Sequence, residues 1–144
     1  MTLDFTVKNE VHVKRFSHVE DMINSCPIKI KADAAAPTPA GNSLFSVGKS
    51  KLLESDMKEK FHTCVAKGLF VAKRSRPDIL PTISALTSRV RCPNHQDMEK
   101  LVRCCKYVNS TKEMFLKLKQ KDLNVFKIYV DASYAVHEDS HIRV

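Results

Sequence analysis

The sequence has little with which to bind phosphate through its backbone, span a bilayer or build a disulfide frame. Three glycines occur in 144 residues and none are grouped, so no Gly-rich phosphate loop is present. No apolar run approaches the ~18 residues of a membrane span, and the chain is not expected to cross a bilayer. The opening Met1-Thr2-Leu3-Asp4-Phe5 lacks the basic-then-apolar layout of a secretory signal. Five cysteines are an odd count without Cys-x-x-Cys spacing. Reduced thiols in a cytoplasmic or nuclear protein, not a secreted one, are the expectation.

What is present is the composition of a folded domain, 43% hydrophobic and 28% charged, which excludes wholesale disorder. The net charge of +8 favours a polyanionic partner. That excess is local. Between Lys49 and Lys119 stand 16 Lys and Arg against 7 Asp and Glu, a balance of +9, and the remainder of the chain is near neutral.

The apolar pattern changes period along the chain. Leu3, Phe5 and Val7 alternate with polar residues, as do Val11 and Val13 beyond the turn-like Asn9-Glu10, which predicts a β-hairpin. Ser17 and Glu20 have capping-box spacing before a short helix through Val19, Met22 and Ile23 that Pro27 ends. Residues 32–50 are rich in Ala, Pro, Thr, Gly and Ser and read as a surface linker. Three helices are predicted next, within 51–111. The first is carried by Phe61, Cys64, Val65, Gly68, Leu69 and Ala72. The second runs through Ile79, Ile83, Leu86 and Val90, with Asp78 as its cap and Pro81 in its first turn. The third follows Asn94 through Met98, Leu101, Val102, Cys105 and Val108. Alternation resumes at Met114, Leu116 and Leu118 and again at Phe126, Ile128 and Val130, within 112–144. The expected class is α+β: a hairpin and short helix over 1–31, a linker, a three-helix unit, then the first strands of an incomplete sheet.

Few residues carry chemistry. Asp131 ends the most apolar strand, where a carboxylate can hold Mg²⁺, but phosphodiester chemistry needs several converging carboxylates. Cys92, His95, Cys104 and Cys105 lie close in sequence but match no ordinary zinc spacing, and adjacent helical cysteines diverge by about 100°. Lys67, Lys73, Arg74 and Arg76 form a basic cluster on the first helix of the trio and its exit. Arg89, Arg91, Lys100, Arg103 and Lys106 could extend it. Such a ridge can neutralise phosphates without reading sequence, and the plainer account of it is a solvated face.

The order of these residues resembles the copia-type LTR-retrotransposon reverse transcriptases. Phe61-His62-Thr63-Cys64-Val65-Ala66-Lys67-Gly68-Leu69-Phe70, Ala72-Lys73-Arg74-Ser75-Arg76-Pro77-Asp78-Ile79 and Leu86-Thr87-Ser88-Arg89-Val90 are similar to that family's helical region. Pro93-Asn94, Lys100-Leu101-Val102-Arg103, Lys106-Tyr107 and Ser110-Thr111-Lys112 continue the likeness. Tyr129-Val130-Asp131-Ala132-Ser133-Tyr134 resembles the opening of its RNase H region, and residues 3–23 resemble the segment just after the polymerase palm. The resemblance implies an internal piece of a polyprotein: the end of the palm, thumb-like helices, a connection and the start of RNase H.

In that family an RNA-directed DNA polymerase and an RNase H use Mg²⁺. Asp131 alone among the metal ligands has a counterpart here, since the polymerase carboxylates lie upstream of the matching segment and further RNase H carboxylates lie downstream. The implied protein is catalytically inactive by itself, holds no cofactor, and keeps at most weak, non-specific binding to RNA–DNA hybrid or duplex. Lys67, Lys73, Arg74, Arg76, Arg89 and Arg103 would carry that binding. Replacing Lys73, Arg74 and Arg76 together is expected to spare the fold, because none lies on an apolar stripe. Nothing in the sequence indicates a small-molecule substrate. The competing reading is a basic helical module, binding nucleic acid or another partner in a cellular role.

Overall fold

In a computed structural model, which describes residues 1–119, Asp4 ends the first strand. Its carboxylate accepts hydrogen bonds from the Thr6 N–H at 3.0 Å and the Thr6 hydroxyl at 2.7 Å. This local turn stops β1 (Thr2–Asp4) short of the Phe5 and Val7 positions that sequence alternation would continue. Phe5 is consequently exposed. Asn9 takes φ 62°, a left-handed conformation that asparagine tolerates, and returns the chain into β2 (Glu10–Lys14). The two strands are antiparallel, with Leu3 opposite Val13.

Helix α1 (Phe16–Asn24) follows directly. Ser17 does not cap it. The helix begins one residue earlier, behind Arg15, and the Ser17 hydroxyl instead lies 3.3 Å from His18 Nδ1. Helix α2 (Ser55–Ala72) carries Asp56 in its first turn, where a carboxylate suits the positive end of the helix dipole. A 3₁₀ turn over Pro77–Ile79 leads into α3 (Leu80–Thr87), with Pro81 in its first turn as the sequence suggested. Asp78 serves the 3₁₀ turn rather than capping α3. Helix α4 (His95–Ser110) opens with a complete capping box, in which the Asn94 side chain accepts from the Asp97 N–H and Asp97 accepts from the Asn94 N–H.

The core lies among the helices. Val19 and Met22 of α1, Phe61, Val65 and Val71 of α2, Ile83 and Leu86 of α3, and Leu101 and Val108 of α4 are all buried together. Gly68 brings α2 close to its neighbours. A Cβ there would stand 2.7 Å from Ile83 Cδ1 and 3.2 Å from Met22 Cε, so no side chain fits without displacement. No helix among the described residues is long and apolar enough to cross a membrane.

The strand after the helices takes an unexpected partner. β3 (Leu116–Lys119) pairs antiparallel with β2, Val13 opposite Leu116 and Val11 opposite Leu118, giving the sheet order β1-β2-β3. The second alternating segment, Phe126, Ile128 and Val130, lies outside the described residues. Glu10 explains part of the preference. Its buried carboxylate meets His12 at 3.2 Å, Lys117 at 3.0 Å and Lys119 at 3.1 Å, so β3 brings two cations to it.

The linker does not wander. It is strapped along α4 in the opposite direction to the helix. Asn109 donates to the carbonyls of Lys31, Ala32 and Ala34, Arg103 to the Thr38 hydroxyl, and Lys100 to the Ser46 carbonyl. Asn94 then donates to the Gly48 carbonyl, and Leu52 bridges to Asn94. Polar side chains of α4 thus add partners to a backbone whose own hydrogen bonds are local turns.

Arg76 departs most from its expected place. Its residue is 1% exposed, and its guanidinium donates twice to Asp78 Oδ2, at 2.7 and 3.2 Å, and once to Oδ1 at 2.9 Å. It also donates to the Thr111 carbonyl at 2.9 Å and the Thr111 hydroxyl at 2.7 Å, while Tyr107 O–H donates to Asp78 at 3.0 Å. It joins the exit of α2 to the end of α4, so replacing it cannot spare the fold. Arg76→Met is expected to cost about 3 kcal/mol in urea denaturation, because a half-buried carboxylate and a carbonyl lose their donors; a cost below about 1 kcal/mol would contradict that role.

Glu10 makes the sheet acid-sensitive. The Lys117 ammonium, His12 and the Lys119 ammonium lower its carboxyl from 4.5 to about 2. The folded state therefore binds this proton less readily than the unfolded chain does. Its stabilisation is present above pH 4.5 and is lost as pH falls toward 2. Thermal melts of Glu10→Gln across this range should show a shallower acid decline than the parent, and identical declines would count against it.

Candidate nucleic-acid interface

Helical phase places Lys67, Phe70 and Arg74 on one side of α2 and its exit, three and four residues apart. Lys67, Lys73 and Arg74 are exposed. Lys73 closes the C-terminus of α2, where a cation complements the negative end of the helix dipole. The Arg74 guanidinium stands 4.0 Å from the centroid of the Phe70 ring, a cation–π distance.

A second element converges on the same ring. Arg15, at the start of α1, places its guanidinium 5.1 Å from the Phe70 centroid. The His18 imidazole stacks on Phe70 at 5.1 Å with planes 16° apart. Lys67 Nζ lies 3.4 Å from the Asp21 carbonyl, tying α2 to α1. Arg15, His18 and Arg74 therefore meet one half-buried aromatic ring, with Lys67 one turn away on the same side of α2. Such a surface can offer cations to phosphates and flat groups to a base.

The other basic residues chosen from the sequence do not join it in the same way. Arg76 is interior, as described above, and has no donor aimed at solvent phosphate. Arg89 Nε reaches Asp97 at 3.3 Å, and Lys100 Nζ lies 3.7 Å from the same carboxylate. Arg103 holds Thr38 of the linker. Arg89, Lys100 and Arg103 are thus engaged with α4 and the strap across it. Sequence reasoning missed Arg15, His18 and Phe70. Phe70 was within reach, flanked by cations at helical spacing, whereas Arg15 and His18 needed the packing of α1 on α2.

Asp131, the candidate Mg²⁺ carboxylate, lies outside the described residues. Cys92, His95, Cys104 and Cys105 are not drawn into one group. Cys92 is exposed, Cys104 and Cys105 are buried, and the cysteines that meet are Cys26, Cys64 and Cys105.

One comparison bears on origin. The sequence is 32% identical over 82 residues to the protein named "Putative transposon Ty5-1 protein YCL074W" of Saccharomyces cerevisiae. The likeness supports a transposon-related origin for the matched stretch. The likeness covers 56% of this chain and 27% of that protein, so the chain spans well under two thirds of the curated relative. No family model matches the sequence. No solved structure matches it either.

Proposed function

We propose that the chain is an internal piece of a copia-type reverse transcriptase, comprising the end of the palm, thumb-like helices and the connection toward RNase H. It works without catalysis of its own and keeps weak, sequence-independent affinity for RNA–DNA hybrid or duplex. The transposon likeness supports the lineage, and the order of residues from Phe61 to Lys112 supports the copia-type assignment. The observation that carries the binding is the surface around Phe70, where Lys67, Arg74, Arg15 and His18 converge from two helices. Cations from separate elements held around one ring present a fixed surface to a polyanion, which a scattered solvated charge does not.

Catalysis is absent from this reading because phosphoryl transfer of this kind positions two metal ions with several carboxylates. Asp131 is the counterpart of one of them. Primer-extension and hybrid-cleavage assays with magnesium should give no turnover, and activity lost in Asp131→Ala would overturn the reading.

Binding is tested by fluorescence anisotropy with labelled RNA–DNA hybrid at several salt concentrations. Log K should fall with log salt by about 0.9 for each phosphate neutralised. Replacing Lys67, Lys73 and Arg74 by alanine should flatten that slope by about 0.9 for each contact removed. Arg76 is left intact in this variant, since its loss would confound binding with unfolding. An unchanged slope would reduce the cluster to a solvated face.

A further inference from the structure

Three cysteines far apart in sequence meet inside the helical core. Cys26 follows α1, Cys64 lies on α2 and Cys105 on α4, and all three are buried. Their sulfurs all lie within 4.8 Å of one another, and Cys64 and Cys105 are 3.8 Å apart. A metal bound to three thiolates at about 2.3 Å sets them on a triangle roughly 4 Å on a side. The observed spacing is within a few tenths of an ångström of that triangle on its best-defined edge.

The donor set narrows the ion. It is all sulfur, with no carboxylate or imidazole in the group. Hard cations that demand oxygen, such as Mg²⁺ and Ca²⁺, are poor matches, and soft d¹⁰ ions are good ones. We propose that Cys26, Cys64 and Cys105 bind one soft, thiophilic d¹⁰ cation, Zn²⁺ or Cu⁺, and so clamp α1, α2 and α4 together. The proposal stands independently of nucleic-acid binding.

The surroundings support loading. Cys26 is the least enclosed of the three, at 8% exposed, and borders a surface depression lined by Ser25, Asp56, Glu59 and Thr63. Lys60 lines it too and pairs with Asp56 at 2.7 Å, so the opening offers an ion a path to Cys26 rather than a net anionic funnel. Binding is a balanced exchange: up to three S–H bonds break, the same number of protons go to solvent, and metal–sulfur bonds form with no change of oxidation state. Zn²⁺ would complete four-coordination with water admitted beside Cys26, whereas Cu⁺ is satisfied by three sulfurs.

Cys104 and Cys92 are internal controls. Cys104 is next to Cys105 on α4, turned about 100° away, and does not belong to the group. Cys92 is exposed. The experiment uses the full chain, reduced and metal-free, titrated without oxygen with Zn²⁺ or Cu⁺ against a competing chelator. One ion per chain should bind, the melting temperature should rise, and X-ray absorption should find three sulfurs at about 2.3 Å. Cys26→Ser, at the margin of the core, should lose this binding while keeping its far-ultraviolet dichroism, and the Cys92→Ser and Cys104→Ala chains should retain it. Zinc alone, copper alone or both would each support the site and name the ion. Failure of both ions to compete with the chelator, a first shell of nitrogen and oxygen in the parent protein, or undiminished binding by Cys26→Ser would overturn it.

Discussion

A guanidinium placed in the interior demands a carboxylate, and the joint between α2 and α4 is built on that demand. Arg76 is fully enclosed, so its charge is tolerable only because Asp78, two residues away, and Thr111, thirty-five residues away, saturate it. Burial by itself would raise the Asp78 carboxyl, but the hydrogen bonds and charge of Arg76 outweigh it and hold the group below its ordinary value. The short loop after α2 must therefore carry its 3₁₀ turn, and the end of α4 must sit where the Thr111 carbonyl can accept. Tyr107 adds a hydrogen bond to Asp78 from the same helix. Removing any one member leaves the others short of partners in a place where water is scarce.

Around that joint the helices share one apolar core, while the sheet is held largely by its edges and by charge. Glu10 gathers Lys117 and Lys119 from a strand distant in sequence, whereas Asp78 holds one nearby cation, Arg76, and a distant hydroxyl, that of Tyr107. The linker follows another rule. Poor in large apolar groups, it gains order from the polar side chains of α4, and Lys100 and Arg103 are taken up in holding it. Charge that reads as surface in the sequence is here divided among three uses: an interior joint at Arg76, a strap at Arg103 and Lys100, and a cluster around Phe70.

That division changes what the +9 balance means for nucleic acid. The cations at Lys67, Lys73 and Arg74 are in a position to meet phosphate, and those at Arg76, Arg89 and Arg103 are engaged within the chain. A polyanion approaching this face would meet α2 and the start of α1, with Phe70 between them.

Periodicity in the sequence determined that the chain is α+β, that a hairpin precedes the helices, and that three later helices run through Phe61, Ile83 and Leu101. These are local matters, settled by side-chain spacing, by where proline can stand and by which residues can cap. The sequence also marked Lys67, Lys73, Arg74 and Arg76 as one cluster; seven residues make two helical turns, which puts Lys67 and Arg74 on one side, while Arg76 lies inside. Tertiary structure alone decided the rest. It paired β3 with β2, because two lysines of β3 satisfy a carboxylate more than a hundred residues earlier. It turned Arg76 inward, since a charge four residues beyond a helix has no face until its partner at Thr111 is placed. It joined Arg15 and His18 to Phe70, and brought Cys26, Cys64 and Cys105 within reach of one another. Each of these depends on distances between elements, which side-chain spacing along the chain does not encode.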